Sequence, residues 1–301
     1  MNDSMYNDTI RKVSQRSEKE NMKKIYLYPN PKSNACLAAA REISDRLIQE
    51  HIQIAISHCC KDLLPDLPTD SPNDASVALV LGGDGTILRC AMEVLDLSIP
   101  ILGINFGHLG YMSDVSPEDI PLAIQRILND ELYVENRAVL SGRLIDKNGN
   151  QLNTFRAVND ITIFRGDQPG LTHTAVHIND TYMDTYHADG VLVSTHNGST
   201  AYNFSAGGPI VNPSARNMIL TPICCHSLLS RSIVLAEGDL IRLTPSGDMI
   251  PQIAIDGMAI TLPQIPISLE VALSATPFLL ARLSRGNFYD VLRRKMVPSY
   301  D

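Results

Sequence analysis

The stretch VALVLGGDGTILRCAMEVL, residues 77–95, decides how the first part of this chain folds. Its apolar residues predict a buried strand over Val77–Leu81, and residues 87–95 are typical of a helix. The connection, GGDGT at residues 82–86, is a sharp turn in which glycine permits unusual dihedral angles and lets a ligand approach the backbone. The N–H groups of such a turn and of the following helix start point to one place, which is suited to phosphate.

Asp84, in the middle of this turn, needs an explanation because a carboxylate repels phosphate. It is explained if Asp84 binds Mg²⁺, or if it takes the proton from a hydroxyl that attacks phosphate. The alternative is an ordinary strand-to-helix loop in which Asp84 caps the helix. The segment alone leaves both interpretations open. The sequence contains no G-x-x-x-x-G-K-[ST] motif, so the chain is not a P-loop enzyme.

Length and composition narrow the class of protein. The 301 residues are enough for two domains, and 44% hydrophobic with 19% charged residues is typical of a globular protein. A net charge of −8 argues against nucleic-acid and membrane partners. An anionic ligand therefore needs local neutralisation from backbone donors, arginines or a metal. No apolar run reaches membrane-spanning length.

The termini and the cysteines indicate the cellular compartment. Residues 1–22 are polar and predict a flexible tail without a signal-peptide core, and their acidic residues do not suit a mitochondrial transit peptide. The six cysteines show neither C-x-x-C nor zinc-site spacing, so we expect reduced, partly buried thiols. We therefore expect a cytoplasmic protein.

The pattern of strands and helices predicts two domains. Residues 23–135 alternate the two signals and predict an α/β domain, a parallel sheet with helices, in which ligands gather at the carboxyl ends of strands. Asp84 and Asn105 would both lie there. The predicted strands are 24–28, 77–81 and 99–104, and the predicted helices are 35–50 and one that starts at Ser116 with Pro117 in its first turn.

Residues 136–275 have a different texture and predict a β-rich, sandwich-like or barrel domain. Residues 276–301 contain a helical stretch, 288–296, which we expect to pack back on the first domain. The strands predicted in the β-rich domain are 139–144, 157–164, 174–178, 190–194, 240–243, 252–255 and 267–273.

A second group of small and polar residues lies in the β-rich domain. The run GSTAYNFSAGGP, residues 198–209, would let a helix start press against a flat ligand, with hydroxyls from Thr200 and Ser205 and a stacking face from Tyr202. The pair Asn159-Asp160 is suited to ribose hydroxyls or an adenine edge. Singly, each has a plainer interpretation as a turn, a loop or half-buried core.

Together and in this order, these segments closely resemble the NAD kinases. The resemblance covers roughly residues 23 to 296. GGDGT alone is shared with phosphofructokinases and lipid kinases, whereas residues 198–209 are far more specific. The segments that carry the resemblance are residues 82–86, 103–110, 159–160, 189–209, 220–228 and 256–257.

The resemblance implies an α/β domain and a β-rich domain with the NAD site between them, in a homo-oligomer such as a dimer or tetramer. It implies an enzyme that phosphorylates the 2′-hydroxyl of the adenosine ribose of NAD to give NADP. ATP, or in some members polyphosphate, is the donor. A divalent metal ion, Mg²⁺ by preference, would arrive with the triphosphate rather than at a side-chain site of its own.

The resemblance also assigns roles by position. Asp84 would be the catalytic base. Gly82, Gly83, Gly85 and Thr86 would hold the ATP phosphates. The NAD site would comprise Asp84, Gly85, Arg89, Asn159, Asp160, His187, Asp189, Thr200, Ala201, Tyr202, Asn203, Phe204, Ser205 and Met258.

Several positions depart from the family's usual pattern. Asn159-Asp160 stands where Asn-Glu is usual, and THNGST at residues 195–200 stands where TPTGST is usual. His187 lies where a basic residue is often found, and Met258 where a polar side chain such as Gln is expected. The rival interpretations are a lipid or sugar-phosphate kinase with the same turn, and a non-enzymatic NAD(P)-binding sensor. The second group of residues argues against the first rival, and Asp84 argues against the second.

Overall fold

The fold is taken from a computed structural model, which describes residues 23–107, 109–113, 115–167, 169–227, 230–247, 251–260, 267–286 and 288–296. The chain divides into two compact units, residues 1–136 with 278–301, and residues 137–277. The predicted tail, residues 1–22, lies outside the described residues.

The first unit contains a six-stranded sheet within the described ranges. Numbered in chain order over the whole protein, its strands are β1 (Lys24–Pro29), β2 (Gln53–Ile56), β3 (Val77–Leu81), β4 (Ile101–Ile104), β5 (Tyr133–Arg137) and β18 (Phe278–Arg282). Their order across the sheet is β2-β1-β3-β4-β18-β5. The pairs β1/β2, β1/β3, β3/β4 and β4/β18 are parallel. The predicted α/β domain with a parallel sheet is therefore confirmed.

The described part of the first unit also contains helices. They are α1 (Asn34–Gln49), α2 (Asp84–Val94), α3 (Ile120–Leu128) and α5 (Phe288–Met296), with 3₁₀ turns at His58–Cys60, Leu95–Leu97 and Pro117–Asp119. Helix α1 places Cys36, Ala40 and Ile43 in one apolar core with sheet residues such as Leu27 and Leu79. None of the helices in the described part of the chain is long and apolar enough to span a membrane.

The helix predicted to start at Ser116 begins later than expected. A 3₁₀ turn occupies Pro117–Asp119, and α3 starts only at Ile120 with Pro121 in its first turn. Pro121 has no N–H to donate, so proline is tolerated in a helix only near its start. Two prolines four residues apart therefore separate a short turn from the helix proper.

The second unit is antiparallel and β-rich, as predicted. Its strands are β6 (Leu140–Asp146), β7 (Gln151–Ala157), β8 (Asp160–Phe164), β9 (Thr172–Ile178), β10 (Thr181–Ala188), β11 (Gly190–Thr195), β12 (Asn217–Ile223), β13 (Ile233–Ala236), β14 (Ile241–Ser246), β15 (Gln252–Ile255), β16 (Met258–Ile260) and β17 (Ile267–Leu273). Between β11 and β12 lie a 3₁₀ turn, Gly198–Thr200, and the short helix α4, Tyr202–Ser205.

These strands form two sheets that share one core. One sheet has the order β10-β9-β14-β17-β6-β7, and the other has the order β13-β12-β11-β8-β15-β16. Leu243 and Val271 of the first sheet belong to the same buried cluster as Ile161, Val193 and Leu220 of the second. Two antiparallel sheets that bury a common apolar face make this unit sandwich-like.

Candidate active site

The glycine turn of the first unit packs tightly on its inner side. Gly82 has a φ of 154°, and a Cβ there would lie 2.6 Å from Oγ1 of Thr86. Its N–H already donates to the carbonyl of Ile104 at 2.9 Å. Glycine at this position therefore allows β3 to turn directly beneath the start of α2. The phosphate-binding roles predicted for Gly82 and for the buried Thr86 stay predictions.

The outer side of the same turn faces open space. A Cβ at Gly83 or Gly85 would meet no atom within 4 Å. Helix α2 begins at Asp84 with Gly83 as its N-cap, and the first N–H groups of a helix have no partner within it. Among the described residues, no acceptor pairs with the N–H groups of Gly83, Asp84 or Gly85. The turn thus presents three donors at the positive end of a helix, an arrangement suited to an anion.

The Asp84 carboxylate is held by the loop that follows β4. Oδ2 accepts from the N–H of Tyr111 at 2.7 Å, and Oδ1 accepts from the N–H groups of Met112 and Ser113, both at 3.0 Å. The Ser113 hydroxyl adds a fourth bond to Oδ1 at 3.0 Å. A side chain at Gly110 would collide with this carboxylate. Each carboxylate oxygen has two lone pairs, and Oδ2 accepts only one of these four bonds, so Oδ2 keeps capacity for one more donor.

Tyr111 connects this loop to the C-terminal helix. Its carbonyl accepts from Nη2 of Arg282 at 3.0 Å, and Nζ of Lys295 lies 4.1 Å from the centre of its ring. The ring of Phe288 is tilted against it at 6.5 Å. Burial, together with the charge of Asp84, raises the pKa of Tyr111. Helix α5 therefore packs on the loop that orients the predicted base.

Arg89, predicted to lie near the phosphates, is on α2 one turn beyond the glycine turn. Its side chain is exposed, and Nη2 donates to Oγ1 of Thr86 at 3.3 Å. The guanidinium is thus tied to the turn that carries the open donors. Asn105, at the end of β4, accepts from the N–H of Gly107 at 3.0 Å and so shapes the start of the next loop.

In the second unit, Asp256 holds the backbone of the Asn159-Asp160 pair. Its Oδ1 accepts from the N–H groups of Asn159 at 2.7 Å and Asp160 at 3.1 Å, and its Oδ2 accepts from Val158 at 2.9 Å. Its own N–H donates to the carbonyl of Asp160 at 2.9 Å. Asp256 adopts a left-handed conformation with a φ of 47°, which Asp tolerates better than most residues. Asp256-Gly257 is one of the segments that carry the family resemblance, and Asp256 serves to hold the backbone of residues 158–160.

Asp160 is buried, whereas its neighbour Asn159 stays partly exposed. Burial, reinforced by the charge of Asp256, raises the pKa of Asp160 to about 7. Burial also raises the pKa of Asp256, although the three N–H groups on it act in the opposite direction. Asp160 is therefore close to half-protonated at neutral pH, and it is able to donate as well as accept a hydrogen bond.

Tyr202 interacts with both Asp160 and Asp189, which lie at opposite ends of the paired strands β8 and β11. Asp189 forms an ion pair with Arg165, with 2.9 Å between Oδ1 and Nε, and its N–H donates to the carbonyl of Ile223 at 3.0 Å. Burial raises the pKa of Tyr202, with further contributions from the nearby Cys224, Asp160 and Asp189. The Tyr202 side chain is nevertheless 47% exposed, which leaves a ring face open to a ligand.

The small-residue run, 198–209, is held by hydrogen bonds of its own polar side chains. Asn203 donates to the carbonyl of Pro209 at 3.0 Å and accepts from Oγ1 of Thr221 at 2.7 Å. Thr200 donates to the carbonyl of Asn197 at 3.2 Å. A side chain at Gly198 would collide with the carbonyl of Asn159, so glycine here brings the run against the Asn159-Asp160 pair.

The NAD-site residues predicted in this run differ in how exposed they are to solvent. The side chain of Asn203 is buried and engaged within the protein, whereas Tyr202, Phe204 and Ser205 are exposed. Thr200 and Ala201 are partly exposed. The NAD-binding roles assigned to these residues stay predictions.

His187 and Met258, the two departures from the family pattern, are both exposed. His187 lies on β10 with its ring 4.3 Å from that of His173 on β9. Met258 follows the Asp256-Gly257 turn at the start of β16. The part predicted for each in NAD binding stays a prediction.

A magnesium ion would find few protein ligands here. In the part of the chain that the structure describes, no group of three or more His, Cys, Asp or Glu side chains could hold a metal ion. Asp84 offers only the remaining acceptor site of Oδ2 beside the open donors of the turn. Mg²⁺ usually keeps several waters and binds through one or two carboxylates plus substrate phosphates. The donor set fits an ion that arrives with a polyphosphate.

Comparison with known proteins identifies the family. The model of the ATP-NAD kinase N-terminal domain matches residues 1–132, and that of the ATP-NAD kinase C-terminal domain matches residues 158–283. An NAD kinase of Thermoanaerobacter sp. is 34% identical over 91% of this chain and 99% of its own length. An NAD kinase of Caldanaerobacter subterraneus is 39% identical over 72% of this chain and 77% of its own. The chain belongs to the NAD kinase family.

Solved structures agree in fold. A yeast NADH kinase, crystallised with NADH, superimposes with a TM-score of 0.84 at 23% identity, covering 94% of this chain and 90% of that one. An NAD kinase from Archaeoglobus fulgidus in complex with ATP gives a TM-score of 0.72 at 22% identity, covering 91% and 98%. The resemblance stated from the sequence, and with it the prediction of an NAD kinase, is confirmed.

Proposed function

We propose that this protein transfers a phosphoryl group from ATP, or from polyphosphate, to the 2′-hydroxyl of the adenosine ribose of NAD, and so makes NADP. The observation that carries the proposal is the start of α2 in a member of this family. There, a carboxylate with one open acceptor site stands beside three N–H donors that have no acceptor among the described residues. The first group suits a hydroxyl and the second suits a phosphate chain.

The proposed base is Asp84. A ribose hydroxyl is a weak nucleophile until its proton leaves, and a carboxylate in hydrogen-bond reach typically contributes about 10²–10⁴ in rate. The four donors from Tyr111, Met112 and Ser113 hold the carboxylate in one orientation. Little further conformational entropy is therefore lost when the substrate binds. The proton passes to Oδ2 as the hydroxyl oxygen bonds to the terminal phosphorus of the donor, and the bond from that phosphorus to its bridging oxygen breaks, which releases ADP or a polyphosphate one unit shorter.

The donors of the glycine turn stabilise the phosphates. The N–H groups of Gly83, Asp84 and Gly85 are fixed by the helix and need no reorganisation when negative charge develops, which is the basis of preorganised electrostatic stabilisation. Arg89 lies close enough to the turn, through its bond to Thr86, to add a positive charge. When bound with the donor, Mg²⁺ would offset further phosphate charge.

In the second unit we propose that Asn159, Asp160, Asp189 and Tyr202 recognise NAD. The support is the chemistry of these side chains and the interaction of Tyr202 with both Asp160 and Asp189. A partly exposed amide, a carboxyl that is close to half-protonated and an ion-paired carboxylate suit hydroxyl and amine groups, and the exposed Tyr202 ring suits a flat base. We also propose a homo-oligomer in the cytoplasm, and the six free cysteines support a reducing compartment.

The test is to incubate the pure protein with NAD, Mg²⁺ and either ATP or polyphosphate, and to detect NADP by mass spectrometry and with an NADP-specific dehydrogenase. NADP formation with at least one donor is expected. Binding of NAD without turnover would favour the sensor, and turnover of a lipid or sugar phosphate alone would favour the other kinase. Absence of NADP with every donor and metal, from protein shown to be folded, would overturn the proposal.

A further inference from the structure

A cluster of sulfur and hydroxyl groups lies where β2 ends, in the first unit. Cys59 and Cys60 occupy the 3₁₀ turn His58–Cys60, which Ser57 caps by accepting from the N–H of Cys59. Cys59 is exposed and Cys60 is fully buried, and their Sγ atoms lie 3.6 Å apart. The turn therefore offers one thiol to solvent and holds a second directly behind it.

Two groups lie within hydrogen-bond reach of the sulfur of Cys59. The Ser57 hydroxyl donates to it at 3.3 Å, and Sγ of Cys60 is 3.6 Å away. The hydroxyl of the buried Tyr28 also acts in the direction that lowers the pKa of Cys59. Cys60 has one S–H proton, which is shared between the Cys59 sulfur and the carbonyl of Pro29 at 3.4 Å. Donors aimed at a sulfur favour its thiolate form.

Groups on neighbouring elements determine the pKa of the Cys59 thiol. The hydrogen bond from Cys60, with those from Ser57 and Tyr28, lowers the pKa of Cys59 to about 6, against the opposing effects of burial and of the Glu93 charge on α2.

The same interactions act in the opposite direction on the partner thiol. The hydrogen bond with Cys59, burial and nearby negative charge raise the pKa of Cys60. At neutral pH the pair is therefore one thiolate at the surface and one thiol behind it.

We propose that Cys59 is a site of reversible oxidation by hydroperoxides, with Cys60 as the resolving thiol. The Cys59 thiolate attacks a peroxide oxygen, the O–O bond breaks, and with one proton taken up the products are a Cys59 sulfenic acid and water or an alcohol. The sulfur of Cys60 then attacks that of Cys59. The S–O bond breaks, the Cys60 proton leaves with the hydroxyl as water, and a disulfide forms.

The product would be easy to reduce. The α-carbons of adjacent residues are about 3.8 Å apart, which is less than the roughly 4.4–6.8 Å that unstrained disulfides span. Strained disulfides have the higher reduction potentials typical of labile, regulatory bonds. Thiols of the cell would therefore return the pair to its reduced form, which makes the modification reversible.

The first measurement is a short pulse of the disulfide reagent dithiodipyridine on the full chain at about pH 6, followed by peptide mass spectrometry. There a thiolate of pKa about 6 is half-formed, whereas an ordinary thiol is ionised well below 1%. Allowing for its lower intrinsic nucleophilicity, Cys59 should react about tenfold faster than an ordinary exposed thiol. Cys224, exposed in the second unit, is the internal comparison.

Two variants separate the roles. In the wild type, Cys60 should displace the first adduct, so that each Cys59 releases two pyridinethiones. Cys60→Ser keeps a hydroxyl donor beside Cys59 but cannot form a disulfide, so it should release one and retain the adduct. Tyr28→Phe removes one donor and keeps the ring, and it should slow labelling at about pH 6 but not at about pH 9.

The second measurement uses hydrogen peroxide. The wild-type Cys59-Cys60 peptide should lose two hydrogens and recover them with a thiol reductant, and Cys60→Ser should gain one oxygen that dimedone traps. Thermal unfolding of both proteins checks that they fold alike. Labelling of Cys59 no faster than Cys224, or a peptide unchanged by peroxide, would overturn the proposal.

Discussion

Ser113 donates two hydrogen bonds to the same oxygen of Asp84, one from its backbone N–H and one from its hydroxyl, both at 3.0 Å. The side chain of Ser113 is completely buried. The predicted base of the reaction is therefore oriented from a loop almost thirty residues further along the chain, and not by its own helix.

Ser113→Ala removes the hydroxyl bond and leaves the three backbone donors in place. We expect a loss of about 1–3 kcal/mol in the free energy of unfolding, because a hydrogen bond to a charged group is lost at a buried position. We expect kcat to fall less than about tenfold, since the N–H groups still orient the carboxylate. Ser116→Ala, which removes an exposed bond to Asp119, is the control and should change neither quantity measurably.

Tyr202→Ala should weaken NAD binding more than it changes stability. The ring is 47% exposed, so its removal creates no buried cavity. A stacked ring contributes about 0.5–1.5 kcal/mol to binding beyond the effect of its buried area. The Kd for NAD should therefore rise by about 2- to 10-fold or more. Calorimetric binding and thermal unfolding measure the two effects separately. Tyr182→Ala, at a tyrosine that is 57% exposed on β10, should leave both unchanged.

Asp160 makes stability depend on pH. The pKa of its carboxyl is about 7 when folded and about 3.9 when unfolded, so the unfolded state releases this proton first as pH rises. The contribution of Asp160 to stability is thus complete below about pH 4 and is lost as pH rises to about 7. Asp160→Asn should remove this loss, so the stability of the variant relative to wild type should rise between about pH 4 and 7, by a few kcal/mol at most.

Chemical unfolding at several pH values measures this difference. Asp146→Asn is the control of opposite sign, because hydrogen bonds from Asn150 lower the pKa of that exposed carboxyl. A stability difference between wild type and Asp160→Asn that is constant with pH would contradict the burial argument for Asp160.

The sequence predicted those elements whose own residues carry the signal. The apolar run of β3 is fully buried, and about half of the residues in β15 and β17 are buried; the bounds of all three strands agree with the prediction. Strand β10 was not predicted, because its residues Thr181 to Asp184 are exposed and polar side chains interrupt any alternation. Strand β18 was not predicted either, since its place beside β4 depends on pairing between residues some 180 positions apart.

In the site, too, residues whose own side chains carry a signal were predicted, and contacts made by the backbone were not. Asp84 and Tyr202 were predicted because side chains of those types have a definite chemistry beside glycine-rich turns. The loop that holds Asp84 acts mainly through the N–H groups of Tyr111, Met112 and Ser113, and a backbone donor has no signature in the sequence. The available signal was Gly110, since only glycine fits against the Asp84 carboxylate.

Asp84→Asn is the most decisive change for the mechanism. With the amide oxygen in the position of Oδ1, the three bonds from Met112 and Ser113 persist, so the carboxylate's structural role largely survives. The amide nitrogen would then face the N–H of Tyr111, donor against donor, so we expect about 1–3 kcal/mol of destabilisation. The variant should still fold and bind NAD.

Turnover should nevertheless fall by about 10²–10⁴, because an amide cannot accept the proton of the ribose hydroxyl. Steady-state kinetics together with NAD titration checks both quantities, and Ser113→Ala is the matched control that perturbs the same contact but leaves the carboxylate. If Asp84→Asn keeps more than about a tenth of the wild-type kcat, a loss of only ~1.4 kcal/mol of transition-state stabilisation, Asp84 is not the base. The turn would then serve only to hold phosphate, and Asp189, which is ion-paired with Arg165, would be the next carboxylate to test in the same way.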